Sequence, residues 1–286
     1  MTALTDLMAQ IPHERLLSRV HDLLVLTDPV DYPGVDQVFP MYPEQPFFLD
    51  ELSRHDIRGA RALEIGLGSG VLSIGTLKAG AARVDALEIN PRAKLFAGFN
   101  AVLNGVADGL CIRDGDRADL WAPVTGERFD FILSNPPFMP SPPGAEHYFH
   151  SGGGGLLGMD FLERILAGLD QHLVAGGRAQ CVTAAPGDGE LPTALIALIE
   201  RHLRGAATLV VDPLRLPFDD LAHHLPDGLS AAAMAAATQQ LKAQGISHEY
   251  LCVLHYAADA PRGLTVEQCA PHQAWDQPLV AGEVAA

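Results

Sequence analysis

From Ala60 onward, short apolar runs alternate with stretches of helical period, and this rhythm restricts the chain to very few architectures. Arg61–Ile65, Val84–Ile89, Leu110–Arg113, Phe129–Ser134, Ala179–Thr183, Ala207–Val211 and Tyr250–Tyr256 read as strands. Gly70–Ala79, Pro91–Leu103, Leu156–Leu173 and Pro192–Leu203 read as the helices between them. Alternation of this kind builds βαβ units and a parallel sheet covered on both faces. The expectation is an α/β fold with a doubly wound, mostly parallel, seven-stranded sheet over residues 51–258. Residues 212–248 break the rhythm as an insertion, with an Ala-rich helix expected from Leu229 to Ala243.

Two segments flank this core. In residues 1–22, Leu4, Leu7, Met8, Ile11, Leu16, Leu17 and Val20 fall roughly on one helical face, which predicts an N-terminal helical cap. Pro29, Pro33, Pro40, Pro43 and Pro46 exclude a regular helix over 28–50, so residues 1–50 read as a helix feeding a Pro-rich lid over the substrate. The tail, 259–286, is Pro/Ala-rich and shows no period.

Composition narrows the setting. No apolar run reaches the ~20 residues of a membrane-spanning helix. The first residues carry acidic and polar groups where a signal peptide needs a basic start. Cys111, Cys181, Cys252 and Cys269 are far apart, so free thiols in the cytoplasm are expected. The net charge is −16, with 19 Lys+Arg against 35 Asp+Glu and no basic cluster. Phosphate backbones require concentrated positive charge, so a small molecule or a protein is the expected partner, not nucleic acid.

Three sites carry chemistry. Glu64-Ile65-Gly66-Leu67-Gly68-Ser69-Gly70 ends the first core strand, where glycines let the backbone turn tightly and a ligand approach closely. The GxGxxG phosphate fingerprint is not completed, and an acid opens the run. That pairing suits a ligand with cationic groups and no pyrophosphate, such as S-adenosylmethionine (SAM). Glu88, at the end of the second core strand, is placed to accept hydrogen bonds from ribose hydroxyls. Ser134-Asn135-Pro136-Pro137-Phe138 follows the fourth. Its prolines hold an extended backbone that fixes the Asn135 amide and the Pro136 carbonyl as paired acceptors, with Phe138 beside them. Alone, each site is an ordinary turn or strand-end acid; together they mark the crevice where such folds bind ligands.

The glycine turn, the acidic strand end and SNPPF together resemble the class I SAM-dependent methyltransferases of the NPPY type, here as NPPF. Tyr42-Pro43-Glu44-Gln45 resembles the PRPET stretch of the release-factor glutamine N-methyltransferases, and Gly153–Asp160 resembles their GG-x-GL-D run. The likeness spans roughly residues 38–183. It implies a Rossmann-like fold, with SAM held by Glu64, Gly66, Gly68, Gly70, Glu88 and Asn135. It also implies an acid at the adenine amino group, for which Asp114, Asp116 and Asp119 compete. Asp119 matches the family's acid–aromatic spacing and Asp116 makes the common Gly-Asp pair. Asn135, Pro136 and Phe138 would be catalytic. Tyr42, Gln45, Phe138, His147 and Tyr148 would meet the substrate. Gln45 and Phe138 depart from the family's Thr and Tyr, and fewer residues precede the core than its N-terminal substrate domain occupies.

No metal site is expected: His147 and His150 lack carboxylate or cysteine partners at ligand spacing, and His223 and His224, beside Asp219 and Asp220, read as a polar loop turn in preference to a cation site. The leading reading is methyl transfer from SAM to a nitrogen of a small-molecule or protein substrate. Two others stand behind it. One is SAM cyclisation to azetidine-2-carboxylate on the same fold, releasing methylthioadenosine; the other is a non-catalytic SAM-binding protein.

Overall fold

The computed structural model describes residues 15–139, 154–217, 238–272, 274, 275 and 277–279. Its strands are β1 (Leu16–Val20), β2 (Leu23–Thr27), β3 (Arg61–Ile65), β4 (Arg83–Glu88), β5 (Leu110–Asp114), β6 (Phe129–Ser134), β7 (Leu173–Gly187), β8 (Ala206–Pro217), β9 (His248–Ala257) and β10 (Gly263–Gln268). Its α-helices are α1 (Glu44–Glu51), α2 (Val71–Lys78), α3 (Pro91–Leu103), α4 (Asp160–His172) and α5 (Thr193–His202), with residues 238–243 also helical.

Eight strands form one sheet in the order β10-β8-β9-β7-β6-β3-β4-β5. The run from β7 through β6, β3 and β4 to β5 is parallel, β9 lies antiparallel between β7 and β8, and β10 runs parallel to β8. The chain leaves β3 for β4 on one side and later returns to β6 on the other, so the switch point lies between β3 and β6. Core strands such as β3 are buried on both faces, which is why they read as unbroken apolar runs. One core layer joins Ile132, Ile165, Leu169 and Leu209; the other joins Phe47, Ile74, Val84 and Phe131. No helix among the described residues is long and apolar enough to cross a membrane.

Three expectations are corrected. Residues 16–20 are a strand, not the end of a helix; residues 1–14 lie outside the described residues. Ser18 and Val20 point inward while Leu17 and Arg19 point out, a period of two that the leucine count conceals. His21, at φ 53°, makes the tight turn into β2. The Pro-rich segment does contain a helix, α1. Pro43 caps it and Pro46 falls in its first turn, where a backbone N–H has no partner within the helix. Among the described residues the sheet has eight strands, not seven, because the tail contributes β10 at an edge. Of the 212–248 insertion, residues up to Pro217 extend β8; 218–237 lie outside the described residues.

The hairpin of β1 and β2 docks on α3 through side-chain amides. Leu26 N–H donates to Asn100 Oδ1 at 2.8 Å, and Asn100 Nδ2 donates to the Leu26 carbonyl at 2.9 Å. One turn later Asn104 repeats the exchange with Leu24, at 3.1 and 2.8 Å.

Candidate active site

The carboxyl ends of β3, β4, β5 and β6 open on a cavity of about 760 Å³. Its walls come from Gly66–Ser69, Leu87–Asn90, Gly115–Arg117 and Asn135–Met139, and the segment between Val30 and Gln45 closes over them. That closing segment is pinned from α3: the Arg92 guanidinium pairs with buried Asp28, and Asn90 Nδ2 donates to the Asp36 carbonyl at 2.9 Å.

Gly66 (φ 83°) and Gly68 (φ 53°) adopt left-handed backbone, and a Cβ at either would meet no atom within 4 Å. The space above the turn is therefore open to a ligand. Gly68 N–H donates to Glu88 Oε2 and Asn90 N–H to Glu88 Oε1, both at 2.8 Å. Each carboxylate oxygen keeps a lone pair, a geometry suited to a pair of neighbouring hydroxyls. Glu64 lies buried on the cavity wall and accepts from the Ser73 hydroxyl; burial pushes its carboxyl up to about 8. Gly70 does different work: a Cβ there would lie 2.9 Å from Ala97 Cβ, so it permits α2 to pack against α3.

The three competing acids part ways. Asp116 lines the cavity, its Oδ1 accepting from Ala118 N–H at 2.7 Å. Asp119 is exposed off the cavity wall and accepts from Trp121 N–H at 3.1 Å, while Asp114 pairs with Lys94.

Asn135, Pro136, Pro137 and Phe138 all line the cavity. The Asn135 side chain hydrogen-bonds to the Glu44 carboxyl. Only its NH2 can donate to a carboxylate, so Oδ1 faces away; that atom is buried and has no partner among the described residues. Glu44 also accepts from Gln45 Nε2 at 2.9 Å. Burial nevertheless pushes the Glu44 carboxyl up to about 7, against the hydrogen bonds from its own backbone, Gln45 and Asn135. Gln45 lines the cavity but spends its side chain on the loop, since its Oε1 accepts from Tyr42 N–H at 2.7 Å. Tyr42 also lines the cavity and stacks on Phe39, ring centroids 4.9 Å apart.

Part of the glycine run before α4 supports this motif from behind. A Cβ at Gly158 (φ 71°) would lie 1.8 Å from the Phe138 carbonyl oxygen, and one at Gly154 would lie 2.7 Å from that of Met139. His147, Tyr148, His150, His223 and His224 lie outside the described residues.

Reasoning from sequence missed Glu44, Glu249 and Trp275, all on the cavity wall. Glu44 had a signal, since it lies inside a stretch already singled out; Glu249, just before the expected strand Tyr250–Tyr256, had none. Asp212, Cys269 and His272 also converge, away from the cavity wall. His272 Nδ1 lies 2.8 Å from Asp212 Oδ2, and that hydrogen bond pushes its imidazole up to about 11.

Known proteins match this architecture. A putative protein N5-glutamine methyltransferase of Methanocaldococcus jannaschii is 32% identical over 170 residues, 58% of this chain and 80% of that one. The ribosomal protein L11 methyltransferase of Actinobacillus succinogenes is 39% identical over 94 residues, 32% of each chain. A putative SAM-dependent methyltransferase of Streptococcus mutans, 12% identical, shares the fold at a TM-score of 0.54 over 85% of this chain and 56% of that one. The model of the methyltransferase small domain matches residues 45–191, which contain Glu64, Glu88 and Asn135, and the chain belongs to that family.

Proposed function

We propose that the cavity binds SAM along the glycine turn and that the protein methylates a nitrogen of a small-molecule or protein substrate. The residues fit that cofactor: space lies open over Gly66 and Gly68, and Glu88 offers two aligned acceptors. Bound there, SAM supplies a methyl group already made electrophilic by its sulfonium.

The observation that carries the nitrogen assignment is the unpartnered Asn135 Oδ1, set by the bond to Glu44. A buried acceptor without a donor is costly by about 1–3 kcal/mol, and a substrate NH2 supplies the donor. Asn135 Oδ1 and the Pro136 carbonyl would accept hydrogen bonds from its two N–H groups and direct the nitrogen lone pair at the methyl. Phe138, Met41 and Trp275 keep the wall apolar and exclude water. No strong base is required, since the methylated nitrogen sheds its proton afterward.

Membership of a methyltransferase family favours methyl transfer over cyclisation or binding alone. The M. jannaschii relative's name makes a glutamine amide one acceptor to test. The net charge of −16 favours protein or small-molecule acceptors over nucleic acid. Four free cysteines suit a reducing, cytoplasmic setting. The test is incubation with methyl-labelled SAM and a panel of glutamine peptides and primary amines. Labelled acceptor together with S-adenosylhomocysteine (SAH) supports the reading. No calorimetric binding of SAM, or methylthioadenosine as the sole product, overturns it.

A further inference from the structure

The strands that bound the cavity on one side run past the others. Ser134, the last residue of β6, pairs with Cys181 in β7, yet β7 continues to Pro186, opposite Glu249 in β9. Five more residues extend this wall by roughly 16 Å at about 3.3 Å per residue. On its inner face Glu249 follows Leu251 and Val253, which pack with Met41, Phe47 and Trp275. An apolar side chain would continue that pattern. A carboxyl group stands there instead, 4% exposed and on the cavity wall.

This carboxyl group lacks the support that buried acids have elsewhere in the protein. Glu44 accepts from Gln45 and Asn135, Glu64 from Ser73, and Asp28 from Arg92. Glu249 Oε1 has no hydrogen-bond partner among the described residues. Burial alone pushes the group up to about 8. An acid kept in an apolar wall without a partner weakens the fold, and such positions are characteristic of sites that bind.

We propose that Glu249 receives a protonated amino group carried by the methyl acceptor, so that the acceptor is a cationic amine bearing a second nitrogen for Asn135. This rests on the methyl-transfer reading and adds to it the charge of the substrate. A cation entering the wall displaces the Glu249 proton and forms a buried ion pair with the carboxylate. The excess of acidic residues draws cations toward the protein in the same sense.

The test uses the full chain loaded with SAH and three probes of similar size: n-butylammonium, n-butanol and butyrate. Calorimetry should show n-butylammonium binding at least tenfold more tightly than either of the others. In two buffers of different ionisation heat at pH 7, its binding should release close to one proton. Glu249→Gln should bind SAH normally, lose at least tenfold in n-butylammonium affinity and release no proton. Equal binding of the three probes by the unaltered protein overturns the proposal, whether or not the variant folds. Unchanged n-butylammonium affinity in a folded Glu249→Gln overturns it as well. Failure of SAH to bind strikes the methyl-transfer reading instead, so the two failures are distinct.

Discussion

The carboxyl group of Glu44 takes the Asn135 amide hydrogen bond, so the first turn of α1 sets which way the Asn135 amide is turned. With the NH2 committed to Glu44, the carbonyl oxygen is buried and has no partner among the described residues. Under the proposed function, Asn135 would be the contacting residue and Glu44 its positioning residue.

Asn135→Ala should leave SAM affinity nearly intact while turnover falls roughly a hundredfold to a thousandfold, as expected for an interaction made mainly at the transition state. Calorimetry and single-turnover rates separate the two effects. Wild-type turnover in this variant would reduce SNPPF to a rigid turn.

Glu44 gives turnover a pH dependence. Its carboxyl group, held near 7, is protonated below that pH and then accepts more weakly from the Asn135 NH2, which loosens the amide it positions. The kcat should therefore rise as pH passes through about 7. Glu44→Gln keeps an acceptor for Asn135, so it should hold the rate within several-fold and remove the acid limb. Glu44→Leu should lose roughly tenfold to a hundredfold at every pH. A pH profile identical in wild type and Glu44→Gln would refute this role.

Glu88→Ala should weaken SAM binding about tenfold to a hundredfold, the loss expected for one or two charge-assisted hydrogen bonds. The glycine turn loses the acceptor of the Gly68 N–H in the same variant, so a loosened turn should add to the effect. Calorimetry reads it directly, and an unchanged Kd would remove Glu88 from the site.

The buried acid Glu64 shapes stability against pH. Its carboxyl group rises from 4.5 to about 8 on folding, so the native state holds the proton more tightly. Its contribution is fully present below pH 4.5 and is lost as pH rises through 8. Glu64→Gln keeps a partner for the Ser73 hydroxyl and should flatten this loss. The Tm difference between pH 5 and pH 9 should shrink by roughly 5 °C relative to wild type. Parallel melting curves across that range would contradict the assignment.

The parts of the site legible in the sequence are those whose chemistry is local. Gly66 and Gly68 announce a turn that only glycine makes easily, and Asn135 announces itself through the two prolines behind it. Phe129–Ser134 and Pro91–Leu103 coincide with their expected bounds because apolar run and cap signal agree there. What stayed hidden depends on residues distant in the chain. Glu44 meets Asn135 only when α1 is formed, and Asp116 separates from Asp119 only when the loop after β5 is folded. β10 is an edge strand, half exposed, and its apolar signal is correspondingly weak.

The amide pair on α3 has a consequence beyond docking. Among the described residues β2 pairs with β1 along one side only, so its outer backbone would otherwise offer unpaired donors and acceptors to any passing chain. Asn100 and Asn104 answer those groups at Leu26 and Leu24, as a neighbouring strand would, without providing a further edge. Replacing both with alanine should therefore do more than loosen a hairpin. Light scattering on the double variant should show concentration-dependent self-association at temperatures where the sheet is still folded, and a monodisperse variant would show that the amides serve docking alone.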